Sequence, residues 1–247
     1  MNRGRWARPV GVVLGSAAAV GLWFATAGQA GPARLWAITV TLLLPLLSVR
    51  QAAAIADPSS LPRIPAYVSS IVSLWLIAAI TATVARLGGV GPRQLRLTAM
   101  PLVPLAAWVG GLTFAAVAIL VVARRMGVRE SPILLRLLPE TPAEKNVFAG
   151  LSVTAGFCEE LVFRGFLLLV FTDSLGTAGA VGLSTVVFAL SHAYQEPKGA
   201  ARAGLLGLLL ALPPVLSGCL WPSIVAHTAI DLLGGIFLRN RLVGNVA

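Results

Sequence analysis

Apolar segments about as long as a bilayer is thick follow one another through almost the whole chain. A helix needs roughly 20 apolar residues to cross the hydrocarbon core, and shorter segments cross when flanking residues reach the interface. The eight segments of this kind are Pro9–Ala27, Leu35–Val49, Ala66–Ala85, Leu102–Ala123, Val147–Phe171, Ala178–Tyr194, Ala203–Leu216 and Trp221–Leu238. Continuous apolar runs are typical of helices and not of a membrane β-barrel. The sequence therefore predicts an all-α fold, a polytopic transmembrane helical bundle of about eight spans.

Charged residues are too scarce for a soluble protein. Only 11% of the 247 residues are charged, against about a quarter in ordinary soluble domains. This scarcity excludes a soluble globular fold, a disordered chain and a disulfide scaffold. The net charge of +10 predicts basic loops that meet anionic lipid. No nucleic-acid partner is expected, because no basic run carries interleaved aromatic residues.

The distribution of basic residues predicts how the chain is oriented. If the N-terminus is cytoplasmic, most of the 19 Lys and Arg residues fall on the cytoplasmic side. The outer loops then hold only Arg34, Arg86, Arg93 and Arg96. This asymmetry predicts an N-in and C-in multi-pass protein of the cell membrane, here expected to be a bacterial plasma membrane, whose first span is an uncleaved helix instead of a signal peptide. The basic loop 124–146 is expected on the cytoplasmic side, with a short interfacial helix.

Ionisable residues inside the predicted spans are confined to the second half of the chain. Burying a charge in a bilayer costs several kcal/mol, so each such residue needs an explanation. The set, called the polar cluster below, consists of Glu159, Glu160, Arg164, His192, His227 and Asp231. The chain is therefore divided into N-terminal helices with the basic loop (1–146), a core that carries the candidate site (147–238) and a short basic tail (239–247).

Helical spacing predicts different partners for two adjacent glutamates. Neighbouring helical residues point about 100° apart, so Glu159 and Glu160 are expected not to share a partner. Glu160 and Arg164 lie four residues apart on one face and are expected to form an ion pair. Glu159 is then left without a partner on its own helix, and an unpaired carboxylate can act as a general base. The alternative is that both glutamates serve structural pairing only.

Two further pairs of residues share the four-residue spacing, Phe188 with His192 and His227 with Asp231. In the simpler interpretation His192 is an interfacial polar residue, and Asp231 accepts a hydrogen bond from His227 in a packed core. The helical rise places Glu159 and Asp231 at similar depths. His192 then lies nearer the cytoplasm and His227 nearer the outside. Convergence of all four side chains therefore requires a helix tilt or a shift of about one turn.

These three groups, in this order, resemble the three motifs of the CAAX protease and bacteriocin-processing (CPBP/Abi) family of intramembrane glutamate endopeptidases. The matching segments are Glu159-Glu160-x-x-x-Arg164, Phe188-x-x-x-His192, His227-x-x-x-Asp231, Phe163-Arg164-Gly165 and Gly218-Cys219-Leu220-Trp221-Pro222. The resemblance covers about Val147 to Leu238 and implies that residues 147–238 form a CAAX-protease-like catalytic core. The first four spans match only in being hydrophobic.

The resemblance also implies a role for each residue of the polar cluster. Glu159 and His192 would activate the water that attacks a peptide carbonyl, with no metal or other cofactor. Glu160 and Arg164 would be the supporting ion pair, and Phe188 would support His192. The third motif, His227 and Asp231, would stabilise the oxyanion; many members carry Asn at the second of these positions. An ionised Asp only accepts hydrogen bonds, so Asp231 would have to be protonated or orient His227 as the donor.

The implied activity is that of a CAAX prenyl protease-like intramembrane endopeptidase, a hydrolase acting on a membrane-associated protein or peptide. One alternative is a zinc-dependent variant, because Glu159, His192 and His227 make a His₂Glu set, although the H-E-x-x-H spacing is absent. Another is a non-proteolytic membrane scaffold, a bacteriocin-immunity-type protein or a transporter. A transporter would carry polar groups in both halves. Cys158 and Cys219 are interpreted as small buried apolar residues, not as a disulfide or a metal pair.

Overall fold

The computed structural model describes the backbone of residues 4–55, 57–128 and 130–237, and within these ranges the side chains of residues 15–236. The described backbone is helical and contains no β-strand. Its α-helices are α1 (Gly4–Ala25), α2 (Gly31–Ala54), α3 (Arg63–Leu87), α4 (Leu102–Arg125), α5 (Pro132–Arg136), α6 (Pro142–Glu160), α7 (Leu168–Ser191), α8 (Glu196–Leu210), α9 (Leu212–Leu216) and α10 (Trp221–Leu232). The predicted tail 239–247 lies outside the described residues.

Five helical stretches in the described ranges are long and apolar enough to cross a membrane, by length and composition. They are Gly31–Ala54, Arg63–Leu87, Leu102–Arg125, Pro142–Ser191 and Ala193–Leu216. The predicted all-α membrane bundle is thus confirmed. Pro142–Ser191 contains two of the predicted spans, because the helix is interrupted at Gly176, whose φ of 66° lies in the left-handed region that favours glycine. The N-in orientation stays a prediction.

A π-helical segment, Leu161–Leu167, joins α6 to α7 and forms the centre of the bundle. All seven of its residues are buried. Helices α3 and α10 pack against α6, whereas α2 and α8 pack against α7, and α4 covers α10. The π-helical turn starts directly after Glu160. Glu160 and Arg164 of the first predicted motif therefore lie where the surrounding helices exclude solvent, whereas Glu159 stays partly exposed.

Helices α6 and α10 approach each other closely at Gly156. A Cβ atom at this position would lie 2.2 Å from Thr228 Oγ1 and 2.8 Å from the Ile224 carbonyl oxygen. Only a glycine therefore allows this crossing, which brings the helix of the third motif against the helix of the first.

Replacing Gly156 with Ala is expected to destabilise the protein by about 1–3 kcal/mol, the usual cost of overpacking. The backbone of α10 cannot move aside as a flexible side chain can. Gly182→Ala is the matched control, because a Cβ there meets no atom within 4 Å. It is expected to leave stability unchanged or raise it by up to about 1 kcal/mol. Equal midpoints for the two variants in thermal unfolding in detergent would contradict the close crossing.

The loop between α3 and α4 folds into the bundle and ties α10 to the π-helical segment. The Leu220 N–H donates to the Arg96 carbonyl over 2.8 Å. The Arg96 side chain donates to the Arg164 carbonyl over 3.2 Å, and the Thr98 hydroxyl donates to the Gly218 carbonyl over 3.1 Å. Partial burial lowers the pKa of the Arg96 guanidinium. This loop thus fixes the start of the helix that carries the third motif.

The basic loop 124–146 is held against the bundle by ion pairs. The expected short helix is present as α5, which has five residues. Arg63 of α3 contacts Glu140 over 2.7 Å and donates to the Arg136 carbonyl, also over 2.7 Å. Glu130 is paired with Arg202 of α8. The loop is therefore an ordered part of the structure that links α3, α6 and α8.

Candidate active site

A buried ion pair lies at the centre of the polar cluster. The side chains of Glu160 and Arg164 are 0% and 1% exposed, and Arg164 Nη1 lies 3.0 Å from Glu160 Oε1. Arg164 Nη2 donates to the Gly207 carbonyl over 2.9 Å. The same Glu160 oxygen lies 2.8 Å from His227 Nδ1. Because an ionised carboxylate only accepts hydrogen bonds, His227 carries a proton on Nδ1.

Aromatic rings and one glycine confine the Arg164 guanidinium. Its Cζ lies 4.2 Å from the centroid of the Phe188 ring, a cation–π contact. Phe163 packs edge-on against Phe188 with 5.0 Å between ring centroids. A Cβ at position 207 would lie 2.7 Å from Arg164 Nη2. Gly207 is therefore required for the approach of α8, a role that nothing in the spacing of the motifs indicated.

Among the described residues Glu159 has no hydrogen-bond partner, whereas Glu160 is bonded through Oε1 and has only its Oε2 unpaired. The Glu159 side chain is 15% exposed, and its Oε2 is buried and forms no hydrogen bond. This oxygen lies 3.9 Å from His227 Nε2, beyond hydrogen-bond distance. A carboxylate oxygen next to a cluster of ionisable groups is thus free to accept a proton from a small molecule such as water.

The two glutamates share no hydrogen-bond partner, although the side chain of His227 lies close to both. Its ring lies between them, with Nδ1 bonded to Glu160 and Nε2 turned toward Glu159. The two carboxylates do diverge, as helix geometry requires, but the two nitrogens of one imidazole diverge as well. A single histidine from a distant helix can therefore face both.

The second-motif histidine has a defined tautomer. His192 lies at the C-terminal end of α7, and its Nδ1 is 2.8 Å from the Phe188 carbonyl oxygen. Because a carbonyl only accepts, Nδ1 carries the proton and Nε2 has a free lone pair in the neutral ring. The Phe188 ring lies between the two histidines, at centroid distances of 4.5 Å from His192 and 6.2 Å from His227.

Asp231 lies at the more exposed end of the cluster. Its side chain is 36% exposed, and Oδ2 is 3.8 Å from His227 Nε2 without a hydrogen bond. The charges of His227, Glu159 and His192 all act on the Asp231 carboxyl group. The structure thus brings together the residues of all three motifs. In this structure the residue that orients the His227 ring is Glu160, and not Asp231.

Two neighbouring residues were not identified from the sequence. Tyr194 stacks against His192 with 6.0 Å between ring centroids. Its backbone N–H donates over 3.3 Å to the hydroxyl of Ser48, a buried residue of α2. A spacing of two residues does not share a helix face, so periodicity did not connect Tyr194 with His192. Ser48 lies outside the motif region and carries no signal in the sequence.

No three His, Cys, Asp or Glu side chains among the described residues come together as a set that could hold a metal ion. The two cysteines, Cys158 and Cys219, are both buried and free. The described part of the chain therefore offers the zinc-dependent alternative no assembled ligand set.

A comparison with protein-family models matches residues 144–233 to the family described as Type II CAAX prenyl endopeptidase Rce1-like. The matched segment contains the whole polar cluster. Comparisons with curated proteins and with solved structures gave no match.

Proposed function

We propose that Glu159 and His192 activate water to hydrolyse a peptide bond within the membrane, since residues 144–233 match the model of the type II CAAX prenyl endopeptidase Rce1-like family. The observation that carries this proposal is the Glu159 carboxylate, whose buried Oε2 has no hydrogen bond, whereas the neighbouring Glu160 is held through its Oε1 by Arg164 and His227. His192 Nε2, with its lone pair, is the second proton acceptor of the site.

In the proposed reaction Glu159 first accepts one proton from water and later passes it to the leaving amine. Glu159 takes a proton from the water, and the hydroxide oxygen forms a bond to the carbonyl carbon while the π electron pair of the carbonyl moves to its oxygen. When this pair returns, the C–N bond breaks and the amine leaves with the proton held by Glu159. His192 Nε2 accepts a hydrogen bond from the same water and orients it. No covalent intermediate with the enzyme is formed.

Glu160 and Arg164 support this reaction without contacting the substrate. Glu160 fixes one nitrogen of His227, so that the other nitrogen faces the open side of the cluster. Arg164 balances the negative charge of Glu160 in a fully buried position. The ion pair thus holds His227 of the third motif in place, and the Glu159 carboxylate is not needed for this contact.

A non-proteolytic scaffold or immunity protein explains the cluster less well. In such a protein each buried polar group is expected to have a partner, because an unpaired one costs about 1–3 kcal/mol. The unpaired Glu159 oxygen lowers stability without a structural benefit. Glu160 also has an unpaired Oε2, but Arg164 and His227 hold its other oxygen. A carboxylate that no protein group holds, such as Glu159, is typical of a site that binds a reactant.

The substrate is proposed to be a membrane-associated protein or peptide. The helices and the family show a multi-pass membrane protein. Its basic composition favours a bacterial plasma membrane with anionic lipid against the loop 124–146. Whether a prenyl group is recognised is tested by offering one fluorogenic CAAX peptide with and without a farnesyl group to the protein in phosphatidylglycerol-containing vesicles.

Comparison of new N-termini in membranes from wild-type and Glu159→Ala cells tests the function directly. At least one membrane protein or peptide is expected to lose a terminus in the variant. Asp173→Ala, which removes an exposed carboxylate of α7, is the matched control and is expected to give the wild-type pattern. Identical termini in all three membranes would contradict a proteolytic function.

A further inference from the structure

The proposed protease, on which this inference rests, needs hydrogen-bond donors that the polar cluster does not supply. A developing oxyanion is stabilised by donors held in place before the reaction. Glu159 and Asp231 only accept when ionised. The Nδ1–H groups of His192 and His227 are already donated to protein oxygens. Only His227 Nε2 remains on the open side, and it faces two carboxylates.

We propose that Tyr194 is a catalytic residue of this site and that its hydroxyl donates a hydrogen bond to the substrate oxyanion. The Tyr194 ring is stacked on His192, at an interplanar angle of 30°. His192 packs in turn against Phe188, whose ring also contacts His227. Tyr194 therefore lies at the edge of the polar cluster, beside the groups that would flank the reacting carbonyl.

The Tyr194 hydroxyl has its proton available for donation. Gln195 Nε2 donates to the hydroxyl oxygen over 3.1 Å. Among the described residues the hydroxyl itself donates to no protein group. A hydroxyl that accepts from one side and leaves its proton unused is oriented for a further acceptor. The oxygen of a substrate carbonyl is an acceptor of this kind.

Tyr194 is also held rigidly, as an oxyanion donor requires. It belongs to the 3₁₀ turn Ala193–Gln195, directly after the histidine that ends α7. Its N–H is bonded to Ser48 Oγ of α2, which anchors the turn from the other side. A donor fixed in this way does not have to reorganise when charge develops.

Tyr194 keeps its proton throughout the reaction. As the water oxygen bonds to the carbonyl carbon, the carbonyl oxygen gains the π electron pair and the Tyr194 O–H···O hydrogen bond strengthens. When the C–N bond breaks, the pair returns to the carbonyl and the amine takes the proton from Glu159.

The chain contains two tyrosines, which provides a matched pair of variants. Tyr194→Phe is expected to lower kcat about 10²-fold, the usual loss for one oxyanion donor, with KM within about threefold. Tyr67→Phe removes the other hydroxyl, which donates to the Leu137 carbonyl over 2.6 Å. Both residues lie outside the segment that carries the polar cluster. Tyr67→Phe is expected to lower the Tm and to leave kcat within about threefold. The substrate is the peptide spanning the bond that Glu159→Ala cells fail to cleave.

A second substitution distinguishes donation from packing. Asp231→Asn introduces an amide donor at the edge of the cluster and is expected to recover about tenfold of kcat in the Tyr194→Phe background. Loss of kcat in Tyr194→Phe without any recovery would overturn the donor role. So would a kcat within threefold of wild type in Tyr194→Phe, while Glu159→Ala is inactive. If the wild type cleaves no peptide and no membrane protein, the proposed function is wrong and the role of Tyr194 with it.

Discussion

Replacing Glu159 with Gln is expected to lower kcat about 10³-fold while the protein stays folded. General-base catalysis contributes roughly 10²–10⁴-fold, and an amide of the same shape cannot take the proton of the attacking water. Because Glu159 Oε2 makes no hydrogen bond in the folded protein, the substitution breaks no hydrogen bond of this oxygen. Steady-state kinetics in vesicles and thermal unfolding in detergent measure the two quantities on one preparation.

Asp173→Asn is the control for this experiment, since it makes the same chemical change at an exposed position of α7. Its kcat and Tm are expected to equal those of the wild type. A Glu159→Gln protein that keeps more than a tenth of the wild-type kcat would rule out the carboxylate as the base. A lowered Tm in the same variant would show that Glu159 has a structural partner.

Removal of the Arg164 guanidinium is expected to have the largest effect on stability. Arg164→Ala leaves the Glu160 carboxylate buried without its ion partner, which costs about 3–5 kcal/mol in comparable buried pairs. It also leaves the Gly207 carbonyl without its donor. Glu160→Ala is expected to destabilise similarly, because the guanidinium then has no counter-charge. Equilibrium unfolding in detergent gives the free energy, and the yield of inserted protein gives a second readout.

Arg202 provides the matched control for Arg164. It also pairs with a glutamate, Glu130, but its side chain is 15% exposed. The Glu130 side chain is only 7% exposed, so Arg202→Ala is expected to cost more than the roughly 0–1 kcal/mol of a surface pair but less than Arg164→Ala. The double variant Glu160→Gln, Arg164→Met is expected to recover part of the loss, because it removes both charges together. Unchanged stability in both single variants would disprove the ion pair as a structural element.

Much of the fold was predictable because a membrane-spanning helix can be recognised from the length of its continuous apolar sequence. The spans of α3 and α4 follow from continuous runs of about 20 residues bounded by charge or proline. The π-helical segment Leu161–Leu167 was not predictable, since its residues are as apolar as those of an α-helix in the same place. The close crossing at Gly156 was not predictable either, because only the position of a second helix distinguishes that glycine from others.

The site was predictable to the extent that its partners share a helix. Four-residue spacing places Glu160 beside Arg164, and the structure has them 3.0 Å apart. The bond between His227 and Glu160 joins residues 67 positions apart, and helical periodicity contains no information about such a contact. The same limit applies to the hydrogen bond from Tyr194 to Ser48, whose partner lies in the half of the chain without motifs.

The hydrogen bond from His192 Nδ1 has a consequence for how this site tolerates sequence change. Its acceptor is the main-chain oxygen of residue 188, one helical turn earlier, and every amino acid provides that atom. A point substitution at position 188 does not delete the acceptor atom, so the proton stays on His192 Nδ1 whichever amino acid stands there. What a substitution there does remove is the ring wedged between two imidazoles and a guanidinium. The tautomer of His192 thus depends only on the helical backbone, whereas the spacing of the two histidines and Arg164 depends on the side chain of Phe188.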